Sequence, residues 1–176
     1  MIVLVGASAS GKTELAKILY HHYGYNKCIT TTTRPMRENE VQDVDYHFLA
    51  IDAFKNLMER DAFYEVTEYS NRFYGIQKKD VNENGVVIVD PSGANALVEQ
   101  ASDVYIVFVE ASEDLRIKRM MVRGDSQEQI QKRIQGDRSV FQLKHFKRID
   151  LHIYNEQVEL IELAKWVHEH YQNRTK

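Results

Sequence analysis

The sequence predicts an α/β fold, a parallel sheet flanked by helices. Apolar bursts alternate with helix-period segments almost from end to end, the bursts are rich in β-branched or aromatic residues, and no repeat or low-complexity tract interrupts them. With 176 residues and 43% apolar content, the chain can bury one sizeable core and is too short for two independent domains, so one domain with mobile lobes is expected.

In chain order, residues 1–6 read as the first core strand, followed by a helix carrying Leu15, Ile18 and Leu19. Residues 26–30 read as a second strand with Cys28 as a buried thiol. Residues 32–80 break the alternation: aromatics from Tyr46 to Tyr74 are interleaved with polar residues, which suggests a small half-exposed sheet beside the main one, a substrate lobe. Core strands resume at 86–90, 103–109 and 148–154. Between 116 and 148 lie ten Lys or Arg against three acids, in a chain whose net charge is -3. Within that stretch Arg123-Gly124-Asp125 reads as a break, and Ser126 with Gln129 has capping-box spacing, so a fresh helix starts there and the segment resembles a hinged, Arg-rich helical lid. The last helix shows one apolar stripe: Leu160, Leu163, Ala164, Val167 and Tyr171.

Composition excludes some functions. A net charge of -3 argues against coating nucleic acid or an anionic membrane, so no nucleic-acid and no membrane partner is expected. The single cysteine permits neither an internal disulfide nor a multi-Cys zinc site, and the opening apolar run is too short for a signal segment, so a cytoplasmic location is expected.

The sharpest motif is Gly6-Ala7-Ser8-Ala9-Ser10-Gly11-Lys12-Thr13, which fits GxxxxGK[ST] between a hydrophobic strand and a helix. Such a P-loop turns backbone amides toward phosphate oxygens. Lys12 spans the β and γ phosphates and Thr13 offers a hydroxyl to Mg²⁺, so a P-loop NTPase fold with a nucleoside triphosphate site is predicted. Downstream, Arg34 and Arg37 flank Pro35 and could fork onto a phosphate dianion, although two arginines alone also suit a solvated turn.

Asp45-Tyr46-His47-Phe48, Phe63-Tyr64-Glu65 and Phe73-Tyr74-Gly75 then arrive in an order that resembles the guanylate kinase family, over about residues 2–155. The resemblance implies that Arg34, Arg37, Tyr46 and Tyr74 hold the phosphate of GMP and that Glu65 accepts from guanine N1 and N2. It implies that Arg119, Arg123 and Arg133 stand where the family has its lid and post-strand arginines and that Thr30 stands where the family has serine. The implied catalytic set is Lys12, Arg34, Arg37, Arg119, Arg123 and Arg133. Arg116, Lys118 and Arg138 instead read as a solvated helix face.

Two further departures touch function. Ile76 replaces a family Ser or Thr that reads the base, and Ile88 replaces the first aspartate of Asp-x-Asp, leaving Asp90 as the second. Asp90 reads equally as a helix cap, an acceptor-site residue or a water-mediated contact to Mg²⁺. The expected organisation is a core of 1–31, 81–122 and 146–176, a β-rich nucleoside-monophosphate-binding lobe of 32–80 and a lid of 123–145. The expected reaction transfers the γ-phosphoryl of ATP to GMP with Mg²⁺. The rivals are a same-fold kinase acting on another nucleotide or a sugar phosphate, and a non-catalytic binding module.

Overall fold

The computed structural model describes every residue except Asn39, Ser70, Ser102, Thr175 and Lys176, with Tyr69 described in its backbone alone. The chain runs β1 (Ile2–Val5), α1 (Lys12–Tyr23), β2 (Asn26–Lys27), β3 (Thr31–Thr32), β4 (His47–Phe48), α2 (Ile51–Glu59), β5 (Phe63–Tyr69) and β6 (Arg72–Gln77). It continues through β7 (Gly85–Ile88), α3 (Pro91–Gln100), β8 (Tyr105–Glu110), α4 (Glu113–Val122), α5 (Gln127–Val140), β9 (Leu151–Tyr154) and α6 (Leu160–Asn173).

The five expected core strands form one parallel sheet in the order β2-β7-β1-β8-β9. Side chains alternate across β1. Ile2 and Leu4 join Leu15, Leu19, Val107, Ile153, Leu163 and Val167 under α1 and α6, while Met1, Val3 and Val5 join Leu97, Ile106 and Phe108 on the other face. Because both faces are covered at the centre of the sheet, β1, β7 and most of β8 carry unbroken apolar runs, whereas the edge strands β2 and β9 include polar residues. The apolar stripe of the last helix packs as expected, with Leu163, Ala164, Val167 and Tyr171 buried.

The second core strand is shorter than its sequence suggests. Cys28 still donates its amide to Val86 O at 3.0 Å, but Thr30 O already accepts from His47 N at 2.9 Å, so the chain crosses between sheets within three residues. The second sheet has the order β4-β3-β6-β5, with β5 and β6 an antiparallel pair that is irregular between Phe63 and Glu65. It is half-exposed because one small core holds it: Phe54 of α2 stacks on Phe63 and Phe73 with ring centroids 4.6 and 5.6 Å apart.

The break at Arg123-Gly124-Asp125 is present, with Gly124 at φ 89° between α4 and α5. Ser126 and Gln129 form the expected capping box, the Ser126 amide donating to Gln129 Oε1 at 3.0 Å and the Gln129 amide to Ser126 Oγ at 3.3 Å. Met120, Ile130 and Ile134 bury against one another and against Ala9, so α5 is seated over the loop that follows β1. Among the described residues, no helix is long and apolar enough to cross a membrane.

Candidate functional site

The loop from Gly6 to Gly11 is curled by three positive-φ residues: Gly6 at 146°, Ala9 at 59° and Gly11 at 103°. Two of these positions accept only glycine for steric reasons as well. A Cβ at Gly6 would stand 2.2 Å from the carbonyl oxygen of Val109, and one at Gly11 would stand 2.0 Å from Asn155 Nδ2.

Three consecutive carbonyls of the loop are drawn outward. Arg116 Nε donates to Ser8 O at 2.7 Å, Arg119 Nη1 to Ala9 O at 3.2 Å and Asn155 Nδ2 to Ser10 O at 2.8 Å. A trans peptide sets its N–H opposite its C=O, so the amides of Ala9 and Gly11 are turned the other way, into the curl. That is how a nest for an anion is built. The Ser10 amide instead closes a turn on Ala7 O at 3.2 Å. Lys12 folds back over the loop, donating from Nζ to Ala7 O at 2.7 Å and lying 3.3 Å from Ser10 Oγ, and burial pulls its ammonium down to about 8. Thr13 is exposed at the start of α1.

Arg116 is a correction to the sequence reading. It is buried, not solvated, and pairs through Nη2 with Asp137 of α5. That carboxylate also accepts from the Ser8 amide at 2.8 Å and the Ser8 hydroxyl at 3.3 Å. The charge count could not separate Arg116 from its neighbours, because its partners lie 108 and 21 residues away. Lys118 and Arg138 are exposed as expected.

A cavity of about 870 Å³ opens beside the loop. Of the residues expected to hold an acceptor, Thr30, Tyr46, Glu65, Tyr74 and Asp90 line it, together with Ser8 of the loop and Arg133 of α5. All three departures from the family pattern, Thr30, Ile76 and Ile88, stand on its wall. Burial pushes the Glu65 carboxyl above its ordinary range; the Thr67 hydroxyl, which donates to Glu65 Oε1, pulls it back down, and Asp90 raises it further. Asp90 also accepts from the Gly93 amide at 2.9 Å and caps α3, so it is a helix cap and a cavity residue at once. Burial raises the Tyr46 phenol as well, against a pull downward from Arg34.

Arg34 and Arg37 do not line the cavity. Both converge on Glu40: Arg34 by a two-pronged pair at 2.7 and 2.9 Å, and Arg37 more loosely at 3.9 Å. Arg34 also lies 5.4 Å from the ring centroids of Tyr46, a cavity-lining residue, and Phe48. A carboxylate at the meeting point of two guanidiniums shows that the pair can converge on one anion. Of the other three candidate arginines, Arg119 donates to Ala9 O of the glycine loop, Arg133 lines the cavity and Arg123 pairs with Asp125. Asp125 is held below the usual carboxylate range, first by Arg123 and then by the fields of Arg133 and Arg37.

Sequence reasoning missed Glu40, Thr67, Asp137 and Asn155. Only Thr67 carried a local signal, since it is two residues from Glu65 on a strand and therefore shares its face.

A family model described as guanylate kinase matches residues 1–169. A guanylate kinase of Hyphomonas neptunium is 33% identical, covering 91% of this chain and 77% of its own length. One of Neisseria gonorrhoeae is 31% identical, covering 92% and 82%. The crystal structure of guanylate kinase from Anaplasma phagocytophilum superposes with a TM-score of 0.68 over 98% of this chain and 84% of that one, at 20% identity, which shows the shared fold. With a P-loop between β1 and α1 and a family match across nearly its whole length, the chain belongs to the guanylate kinase family.

Proposed function

We propose that this protein transfers the γ-phosphoryl group of ATP to GMP, giving ADP and GDP. The observation that carries the reading is the adjacency of an anion nest at Gly6–Gly11 to a cavity whose wall carries a half-buried carboxylate, Glu65, with Ser8 belonging to both. A nest suits the polyphosphate, and an acceptor carboxylate suits the N1–H and N2–H edge of guanine.

In this reading the amides of Ala9 and Gly11 and the ammonium of Lys12 hold the β and γ phosphates. Tyr46 and Tyr74 orient the acceptor phosphate, with Arg34 and Arg37 turning from Glu40 to it. The GMP phosphate is ionised at neutral pH, so its attack needs no general base, and catalysis rests on placement and charge neutralisation. Arg123 and Arg133 close on the transferred group, Arg119 braces from outside the loop that holds the donor, and the lid of 123–145 excludes water that would otherwise hydrolyse ATP. The core of 1–31, 81–122 and 146–176 and the lobe of 32–80 are the parts that this closure brings together.

The residues fit Mg²⁺ of the kind carried in by a nucleotide. Thr13 is an exposed hydroxyl at the mouth of the nest, and among the described residues no cluster of three or more His, Cys, Asp or Glu could cage a metal by itself. Bound there, Mg²⁺ would neutralise charge on the β and γ phosphates. A cytoplasmic setting, where ATP and GMP are at hand, suits this chemistry.

Ile76 and Ile88 on the cavity wall favour one rival, a same-fold kinase with another phosphorylated acceptor. A panel of GMP, AMP, UMP, CMP and ribose 5-phosphate with ATP·Mg²⁺, read by ADP release, tests the reading. GMP is expected to give the highest kcat/KM; a larger value for any other acceptor overturns it.

A further inference from the structure

The cavity carboxylate is hydrogen-bonded at one oxygen and close-packed at the other. Glu65 Oε1 accepts the proton of the Thr67 hydroxyl, and Oε2 lies over the bare backbone of Gly93, where an added Cβ would come within 3.2 Å of it. Glu65 and Thr67 stand on one face of β5, opposite Ile76 and Tyr74 of β6, and all four line the cavity.

A hydroxyl has one proton and two lone pairs. With its proton given to Glu65, Thr67 can present only lone pairs to the cavity. Glu65 and Thr67 together therefore offer acceptors alone: the two carboxylate oxygens and Thr67 Oγ1. Across from Glu65, Ile76 offers no polar atom. Three acceptors side by side match an edge with three protons, which guanine supplies as one N1–H and two on its exocyclic amino group. Hypoxanthine keeps the N1–H but has no amino group, and adenine places a lone pair at N1 against the carboxylate.

We propose that Thr67 is a specificity-determining residue, accepting the second proton of the exocyclic amino group of a 2-aminopurine nucleotide while its own proton fixes Glu65. The inference rests on GMP being the acceptor and adds a residue to the reading of its base. It also locates the polar contact that Ile76 cannot make: a hydroxyl is present in the cavity, on the neighbouring strand.

The test compares Thr67→Val, which keeps the shape and the strand preference, with Thr67→Ser, which keeps the hydroxyl. For each, kcat and KM are measured with GMP and with IMP. Thr67→Val is expected to lower the ratio of kcat/KM for GMP over IMP about 5- to 10-fold, the worth of one neutral hydrogen bond, through KM and with kcat for GMP changed by less than about twofold. Thr67→Ser is expected to restore the ratio to within about twofold of the unaltered protein. An unchanged ratio in Thr67→Val, or a serine variant that falls as far as the valine one, overturns the assignment even where GMP remains the best acceptor. Failure of the unaltered protein to phosphorylate GMP would overturn the function itself, and this residue's role with it.

Discussion

Asp137→Ala should destabilise the protein far more than its place on a helix surface suggests. The side chains of Arg116 and Asp137 are only 9% and 11% exposed, and the carboxylate also holds the amide and hydroxyl of Ser8. Removing one member of a buried pair strands the other charge, at a cost of about 3–5 kcal/mol. Arg116 keeps its bond to Ser8 O, so the lower end applies, about 3 kcal/mol. For a chain of 176 residues, each kcal/mol shifts the melting temperature by about 2–4 °C, so a fall of about 6–12 °C is expected. The assay is thermal unfolding followed by circular dichroism, on Asp137→Ala, Arg116→Met and the double variant. The double variant should lose less than the two single losses added together, because it leaves no unpaired charge. A single variant melting within about 2 °C of the unaltered protein, or strictly additive losses, would refute the reasoning.

Other consequences follow from the same site. Lys12→Ala should lower kcat by about 100-fold or more, since it removes a positive charge from the transferring phosphates, while melting stays within a few degrees; ADP release and thermal unfolding check both. Glu65 must be ionised to accept from guanine, and its carboxyl lies above its ordinary value, so KM for GMP should rise on acidification at a higher pH than a free glutamate would dictate. On the alkaline side kcat/KM for ATP should decline above about 8 as Lys12 loses its proton, and a flat profile through that region would count against its role. Ile76→Thr adds a hydroxyl to the cavity wall and should lower KM for GMP by up to about 10-fold at the expense of melting temperature, because Ile76 is buried against Gly93.

By itself the sequence determined whatever depends on neighbours along the chain. The five-stranded sheet, the phosphate loop, the capping box at Ser126 and the aromatic lobe were all legible, because strand period, helix capping and a glycine turn act over a few residues. The tertiary structure alone decided which charges are sequestered. Arg116 and Arg138 look alike in the chain, yet one is buried on Ser8 and Asp137 while the other lies exposed on Glu113. Arg34 and Arg37 were recognised as a pair, but their convergence on Glu40 was not. The fate of Arg116 depends on desolvation and on partners that the fold brings from distant positions, while for Arg34 and Arg37 the partner is near in sequence and only the loop's conformation turns it to them.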